Sequence, residues 1–353
     1  MDKILIRPCQ KGDEKKIVMF HEKACISYSS PEFWKWKYFE NPVGENGILL
    51  AMKEGMIIGM IGGIPTNMQI GSKNIIAGQV MDLNILEEYR KNSLFINMER
   101  QTRKIILEKG LPFTFGFSNK ITLRNRLDHL VSSVNMLIKP LDIASYISGK
   151  GIPKPFVNLI EKGFAKLLGW REKHLESEEV EIVEINYFDE RFDDLWKDSI
   201  KGEIMVVRDS VYLNWRYIRC PQTNYKIFAV EKNKEILGYI VLQIFKKKGF
   251  NYGNIADFLI RFGYEWVMDV LLSKAIIYLK GNSVRSICCW IPLHSPFYPL
   301  LRGKGFWKRE NPVALTVRLY KNEGLSDLLK DEKNWYYTIG DSDNSLIPRF
   351  VSN

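Results

Sequence analysis

Residues 79–110 read QVMDLNILEEYRKNSLFINMERQTRKIILEKG and predict the order in which the fold is built. The apolar run at 80–86 is typical of a strand, and a polar turn separates it from the segment 94–109. Apolar side chains recur in that segment at helical spacing, and Gly110 ends it. A further apolar run, Phe113–Phe117, predicts the next strand of the same sheet. The stretch therefore indicates a strand, a turn, a helix and a second strand.

The turn between strand and helix is suited to an anion. The first amides of a helix have no partner inside the helix, and the helix dipole favours negative charge there. Arg90 and Lys91 add formal positive charge at the same place. An ordinary strand–turn–helix unit without a ligand remains the alternative.

The stretch contains a D-L-x-[IV]-x3-Y-R core from Asp82 to Arg90. This core resembles the GNAT superfamily of acetyl-CoA-dependent N-acetyltransferases, whose turn signature [QR]-x-x-G-x-[GA] holds the coenzyme A pyrophosphate. Arg90 fits that signature, but Ser93 stands in place of the glycine and Phe95 in place of the small residue. The resemblance implies acetyl-CoA as cofactor, bound through the backbone of Leu83 and Ile85. At the turn it implies contacts from Arg90, Lys91, Asn92, Ser93, Leu94 and Phe95.

The resemblance also implies catalytic roles. Asp82 takes the place of the acid that often serves as general base, directly or through water. Its alternative role is a structural carboxylate, since Asp257 keeps the same residue type in a second copy described below. Where the family has a tyrosine as general acid, this chain has the segment 118–126, in which Asn119 and Asn125 would orient a substrate or the cofactor.

Charge and cysteine usage limit the partners. The 353 residues carry 51 basic and 41 acidic side chains, a net charge of +10. That surplus favours a polyanion such as coenzyme A, a nucleic acid or an anionic membrane surface, without choosing among them. The five cysteines form no C-x-x-C pair and the four histidines have no ligand spacing, so no metal site is expected. Reduced thiols and the lack of a signal peptide predict the cytoplasm.

The chain contains an internal repeat. Residues 33–42 and 212–221 are similar aromatic segments. In each copy a hairpin glycine follows the tryptophan, Trp36 or Trp215, by 23 residues. A glycine precedes Asp82 by four positions and another precedes Asp257 by four. The second copy is shorter at its turn and lacks the basic arm there. The repeat indicates a duplication in which the first copy alone keeps the cofactor turn.

The predicted fold class is α/β, with mixed α+β sheets in two tandem, duplicated GNAT-like domains. The domains are residues 1–145 with the acyl-CoA turn and residues 181–325 without the pyrophosphate arm. A linker at 146–180 joins them, and residues 326–353 form a tail. In the linker, residues 153–170 form an amphipathic pattern that favours a helix packed between the domains over one lying on a membrane.

The tail carries the string W-Y-Y-T-I-G-D-S-D at 335–343. This ending resembles a subgroup of tandem GNAT proteins often found among bacterial surface-polysaccharide genes. The tail either closes the sheet of the second domain or, since the usual tyrosine acid is missing, folds back toward the groove between the domains. In the second case Tyr336 or Tyr337 would act as the acid, and Asp341 and Asp343 would bind an ammonium substrate.

The sequence thus predicts an acyl-CoA-dependent N-acyltransferase, an enzyme that acetylates an amine of a small molecule such as an amino sugar. It favours that partner over nucleic acid or a membrane surface, and it leaves the oligomeric state open. Two alternatives are a Fem-type aminoacyltransferase that uses aminoacyl-tRNA and a non-catalytic binding protein with decayed cofactor sites. Against the first alternative, the second domain of this chain lacks the long helical hairpin arm that is typical of Fem-type enzymes.

Overall fold

The computed structural model describes residues 4–24, 30–45, 47–90, 93–119, 128–142, 180–199, 203–321 and 324–343. These residues form two mixed β-sheets with helices, which confirms the predicted fold class. The strands of the described chain are β1 (Leu5–Pro8), β2 (Leu49–Lys53), β3 (Met56–Ile70), β4 (Lys73–Ile85), β5 (Phe113–Asn119), β6 (His129–Ser133), β7 (Met136–Pro140), β8 (Glu181–Glu184), β9 (Ile204–Val206), β10 (Tyr225–Lys232), β11 (Glu235–Lys247), β12 (Phe250–Ile260), β13 (Val284–Trp290), β14 (Trp307–Arg309) and β15 (Val313–Leu319). The helices are α1 (Glu14–Lys23), α2 (Pro31–Phe39), α3 (Leu94–Glu108), α4 (Arg191–Lys197), α5 (Ser210–Leu213, continued by a π-helical turn over Asn214–Ile218), α6 (Val267–Gly281), α7 (Tyr298–Gly303) and α8 (Ser326–Lys330).

The two sheets follow one plan. The first has the order β1-β2-β3-β4-β5-β15-β6, with β9 paired to β3, and the second has the order β14-β7-β13-β12-β11-β10-β8. Within each, the strand before the long helix pairs in parallel with the strand after it: β4 with β5 across α3, and β12 with β13 across α6. The remaining ladders are antiparallel.

The sheets exchange strands. β15, from near the end of the chain, lies between β5 and β6 in the first sheet. β7, from the first half, lies between β13 and β14 in the second sheet. Sheet membership therefore crosses the domain division predicted at residues 145 and 181, and that division stays a prediction. The predicted linker helix at 153–170 lies outside the described residues.

Local sequence explains the hairpin and the helix that frame the site. Glu54 and Gly55, both at positive φ (51° and 77°), form the tight turn between β2 and β3. The helix α3 ends beside Gly110, whose φ of 69° is the left-handed conformation that stops a helix. The helix end at Gly110 is as predicted.

The repeat appears in space as a reciprocal contact. The indole Nε1 of Trp36 donates to the carbonyl of Trp215 (2.8 Å), and Nε1 of Trp215 donates to the carbonyl of Trp36 (3.1 Å). Their rings stack with centroids 5.0 Å apart. Self-complementary contacts of this kind are typical of a two-fold axis. The two tryptophan segments therefore meet at a local pseudo-two-fold axis between the halves.

The tail lies between the sheets. A buried cluster there joins Phe115 of the first sheet, Trp290 of the second sheet and Trp335 of the tail. Trp335 is 2% exposed, and its Nε1 donates to the carbonyl of Leu329. Burial of large aromatic side chains gives this segment its order. The tail is a packed part of both halves.

Strand β7 carries a buried lysine into the second sheet. Nζ of Lys139 donates to the carbonyl of Lys304 (2.6 Å), and the residue is 3% exposed. Burial, together with the nearby charges of Lys280 and Lys304, lowers the pKa of Lys139 to about 8.

This lysine predicts a pH dependence of stability. Between about pH 8 and pH 10.5 the unfolded chain binds this proton more readily than the folded chain. Stability should therefore rise with pH in that window and be lost as the pH falls toward 8, by at most about 1.4 kcal/mol per pH unit. Urea unfolding across the window should show this slope in the native chain and in the exposed-site control Lys308→Met. Lys139→Met should lack it, and equal slopes in all three proteins would contradict the prediction.

Candidate functional site

The ladder between β4 and β5 is short. It joins Gly78 to Thr114 and Gln79 to Phe115, and no further pair follows among the residues of these two described strands. The strands are still close at Gly116, where an added Cβ would lie 2.9 Å from the carbonyl oxygen of Val80. We call the space beyond this point, between residues 81–85 and 117–119, the β4–β5 gap.

The backbone of β4 faces this gap. The amide of Leu86 donates to Ile58 of β3, so the polar groups of Ile85 point away from β3. Nε of Arg90 confirms that direction, because it donates to the carbonyl of Ile85 (2.9 Å). Leu83, two residues earlier, lies on the same side of the strand. The gap thus offers a strand edge of the kind an extended ligand can pair with.

The turn above the gap leads into α3. It passes through a 3-10 turn at Glu87–Tyr89 to the exposed Arg90, and Ser93 precedes the helix. The hydroxyl of Ser93 makes no cap hydrogen bond to any amide in the described turn, so the first helical amides keep their capacity to donate. Leu94 is buried and Phe95 half-buried, which anchors the helix start. Arg90 and the helix start together form a basic, donor-rich surface.

Some of the predicted cofactor contacts cannot be placed. Lys91, Asn92 and Asn125 lie outside the described residues. Asn119 is the last residue of β5, opposite Val313 of β15, and its side chain is not described. The cofactor roles of these residues and of Leu83, Ile85, Arg90, Ser93, Leu94 and Phe95 stay predictions.

Asp82 is an ion-paired buried residue. It sits at a β-bulge in β4 with φ of 51°, and its Oδ2 accepts hydrogen bonds from Nζ of Lys37 and from the hydroxyl of Tyr38, each at 2.5 Å. Burial is the largest single influence and would raise the pKa of Asp82. The charge of Lys37, the charge of His21 and the hydrogen bonds from Lys37 and Tyr38 together lower this pKa below its usual value. A carboxylate held this way fixes α2 against β4. Its predicted role as general base stays a prediction.

Tyr337 lies on the first sheet, near the gap. Its ring packs edge-on against Phe117 of β5, with centroids 6.0 Å apart. Its hydroxyl accepts hydrogen bonds from the amide of Asn135 (3.2 Å) and from its Nδ2 (3.4 Å). Burial raises the pKa of Tyr337, so the hydroxyl keeps its proton at neutral pH.

Tyr336 points to the other half. Its hydroxyl donates to the carbonyl of Phe258 (3.2 Å), and its ring packs on the same residue. Phe258 is the second-half equivalent of Leu83, because each follows the aspartate of its repeat. The backbone polar groups of Phe258 point away from β11, since the amide of Arg261, three residues later, donates to Leu237 of β11. Tyr336 therefore occupies the second half's counterpart of the gap edge. This position separates it from the first-half gap, for which its acid role was predicted.

The two predicted substrate carboxylates differ in their surroundings. Asp341 is buried and bound to Arg208 (2.7 Å), while burial raises its pKa. Asp343 is half-buried and lines a small cavity with Lys37 and Gln79. That cavity has a volume of about 20 Å³, enough for one water molecule. Of the two aspartates, Asp343 has the geometry closer to the predicted contact with a ligand.

Sequence reasoning did not identify the cations that organise these carboxylates. Lys37 binds Asp82, and Arg208 binds both Asp257 and Asp341. A signal for Lys37 exists in the repeat, because Arg216 stands at the equivalent position and is also buried. Arg216 donates to the carbonyl groups of Gly340 and Ser342, so this cation also holds the tail.

Two searches of the described residues bear on the predicted partners. No cluster of three or more potential metal ligands occurs in the described part of the chain. No helix among the described residues has the length and apolar character needed to cross a membrane.

Comparison with known proteins agrees with this geometry. Residues 5–129 match the family model for the acetyltransferase (GNAT) domain. No curated protein matches the sequence. Among solved structures, a GCN5-related N-acetyltransferase from Anabaena variabilis ATCC 29413 is similar over 90% of this chain and 73% of its own, with 10% identity and a TM-score of 0.59.

Two further structures share the fold of nearly the whole chain. N-myristoyltransferase from Saccharomyces cerevisiae with bound myristoyl-CoA covers 91% of this chain and 80% of its own, at 11% identity and a TM-score of 0.61. A probable N-acyltransferase from Enterococcus faecalis V583 covers 92% and 74%, at 10% identity and a TM-score of 0.63. At such identities the likeness concerns the fold. Residues 5–129 therefore match a GNAT acetyltransferase domain, and nearly the whole chain shares the fold of solved GNAT structures. Acyltransferase is the enzyme class that this match supports.

Proposed function

We propose that the chain transfers an acyl group from coenzyme A to an amine of a small molecule, such as an amino sugar, in the β4–β5 gap. The observation that carries this proposal is the contrast between the halves. In the first half the β4 edge leads to the basic turn at Arg90 and to the start of α3. In the second half the hydroxyl of Tyr336 donates to the matching strand edge, at the carbonyl of Phe258. Arg261, which follows β12 in that half, is paired with Asp198.

The donor would lie extended in the gap. Its pyrophosphate would meet Arg90 and the first amides of α3, and its pantetheine arm would pair with the backbone of Leu83 and Ile85. The thioester would then reach the closed end of the gap at Val80. Acetyl-CoA is the smallest donor for this arrangement, and we take it as the reference.

The transfer itself needs an uncharged amine. The amine nitrogen attacks the thioester carbonyl carbon, the C–N bond forms and the C–S bond breaks. The sulfur leaves with the bonding electron pair, and the proton lost from the amine balances the thiolate. Asp343 is our candidate to hold the incoming ammonium group, which releases one proton to solvent before the nitrogen attacks. Tyr337 beside Phe117 is our candidate to supply a proton to the sulfur, and the proton that the nitrogen loses after attack restores the tyrosine.

We place the reaction in the cytoplasm. The described cysteines, Cys9, Cys220, Cys288 and Cys289, are free thiols. Free buried thiols are typical of a reducing compartment.

Calorimetric titration with acetyl-CoA should give about one site per chain. Arg90→Glu should weaken binding by about tenfold or more, because a charge-assisted hydrogen bond contributes about 1.5–3 kcal/mol. The matched control is Arg103→Glu, an exposed arginine on α3 away from the helix start, which should bind normally. An absence of binding, or two equal sites, would contradict the proposal.

A further inference from the structure

An apolar cleft lies beneath the second half of α3, on the face of the first sheet that α3 covers. Its volume is about 590 Å³, within the range of roughly 300–1,000 Å³ typical of ligand sites. Glycines of β3 and β4 form the floor of the cleft, and one face of α3 forms its roof. We call it the glycine-floored cleft, and the residues that define it are Gly62, Gly63, Gly78, Ile76, Val80, Thr102, Ile105, Ile106 and Lys109.

Missing side chains create this space. In the first half of α3 the helix touches the sheet, and Sδ of Met98 would lie 3.2 Å from a Cβ at Gly59. Farther along, a Cβ at Gly63 would meet no atom closer than 3.5 Å. The helix face above, with Thr102, Ile105, Ile106 and Lys109 at helical spacing, has glycine rather than a large side chain opposite it. An unfilled apolar space forfeits packing contacts, which a bound apolar group restores.

The cleft adjoins the end of the β4–β5 gap. Val80 is part of its wall and also closes the gap, where its carbonyl oxygen approaches Gly116. Ile76 is on the same face of β4 as Val80 and is 47% exposed. An acyl carbon at the closed end of the gap therefore has an apolar path along β4 beneath α3.

We propose that the glycine-floored cleft binds the hydrocarbon chain of a donor longer than acetyl-CoA, a medium-chain acyl thioester. This inference rests on the proposed function, because the hydrocarbon chain enters the cleft from a thioester bound in the β4–β5 gap. At the far end, Nζ of Lys109 donates to the carbonyl of Glu45 (3.2 Å), so polar groups border the path there. The substrate class of the donor is thus set by the space under α3.

The test is a titration series with coenzyme A, acetyl-CoA, butyryl-CoA, octanoyl-CoA and palmitoyl-CoA. Each methylene that enters the cleft should tighten binding roughly fourfold, the equivalent of about 0.8 kcal/mol. Octanoyl-CoA should therefore bind at least about tenfold more tightly than acetyl-CoA. Ile76→Asp places a charge on the path and should remove this preference. Leu107→Asp is the matched control, since Leu107 is 45% exposed on α3 outside the cleft, and it should retain the preference.

The outcomes separate the two proposals. If coenzyme A itself does not bind, the proposed function fails and the inference about the cleft fails with it. If coenzyme A binds but affinity does not change with chain length, the cleft inference alone is overturned. The cleft inference is also overturned if Ile76→Asp leaves the preference for octanoyl-CoA intact. A larger loss of stability in free Ile76→Asp than in free Leu107→Asp would then show that the protein's own packing uses this surface.

Discussion

Two fragments made by dividing the chain between Asp142 and Val180 should each fail to fold alone and should recover the native fold when mixed. The first fragment lacks β15, which separates β5 from β6 in its sheet, and the second lacks β7. Val313, Leu315 and Val317 of β15 are at most 1% exposed. Burying three such side chains contributes on the order of 5–9 kcal/mol. That is as large as the whole stability of many domains, about 5–15 kcal/mol.

Circular dichroism and size-exclusion chromatography would measure this complementation. The control is a second fragment that stops at Glu310 and so lacks β15, which should not restore the first fragment. Cooperative unfolding of either fragment by itself would show that the exchanged strand is dispensable, contrary to the expectation.

Arg208→Met should lower the free energy of unfolding by about 3–5 kcal/mol. Arg208 is fully buried, and its guanidinium binds Asp257 (3.1 Å), Asp341 (2.7 Å) and the carbonyl of Val206 (2.8 Å). Burial opposes its charge, but the two carboxylates hold its pKa well above the usual value. Removing the cation leaves two buried carboxylates without their counter-charge, which costs far more than a surface pair contributes.

Chemical unfolding at several pH values would identify the cause. Burial already raises the pKa of Asp341, and without the guanidinium the folded variant would bind a proton there that the unfolded state releases. Its deficit relative to the native chain should therefore shrink as the pH falls toward 5. Adding Asp257→Asn and Asp341→Asn should restore part of the stability at neutral pH.

A matched surface arginine serves as the control. Arg191 binds Asp189 (2.9 Å) and Glu231 (2.8 Å) with its side chain 36% exposed, so Arg191→Met should cost at most about 1 kcal/mol. Equal losses for Arg191→Met and Arg208→Met would contradict a special role for the buried cluster.

Local signals in the sequence predicted the elements around the site. The helix expected at 94–109 is observed at Leu94–Glu108, and Gly110 ends it. The repeat in the sequence predicted two similar halves, and its tryptophans meet at the pseudo-two-fold axis. These features depend on spacing and on residue type, which a sequence shows directly.

Long-range pairing was not predictable in the same way. The apolar pattern of β15 indicates a strand but does not say which sheet receives it, because either half offers an unpaired edge. The length of β3 was also hidden, since Pro65 within it argues against a continuous strand. For the site, the acidic residues were visible but their buried partners Lys37 and Arg208 were not. Their pairing depends on contacts between distant segments.

The strand exchange has a consequence for synthesis on the ribosome. Gly116 of β5 and Thr316 of β15 are hydrogen-bonded neighbours separated by 200 residues. At roughly 5–20 residues per second, β5 and β6 emerge roughly 10–40 s before their shared partner strand exists. During that time the nascent chain exposes an incomplete sheet with apolar strand edges, which invite wrong partners. Newly made chains should therefore depend on chaperones more than chains whose sheets close in sequence order.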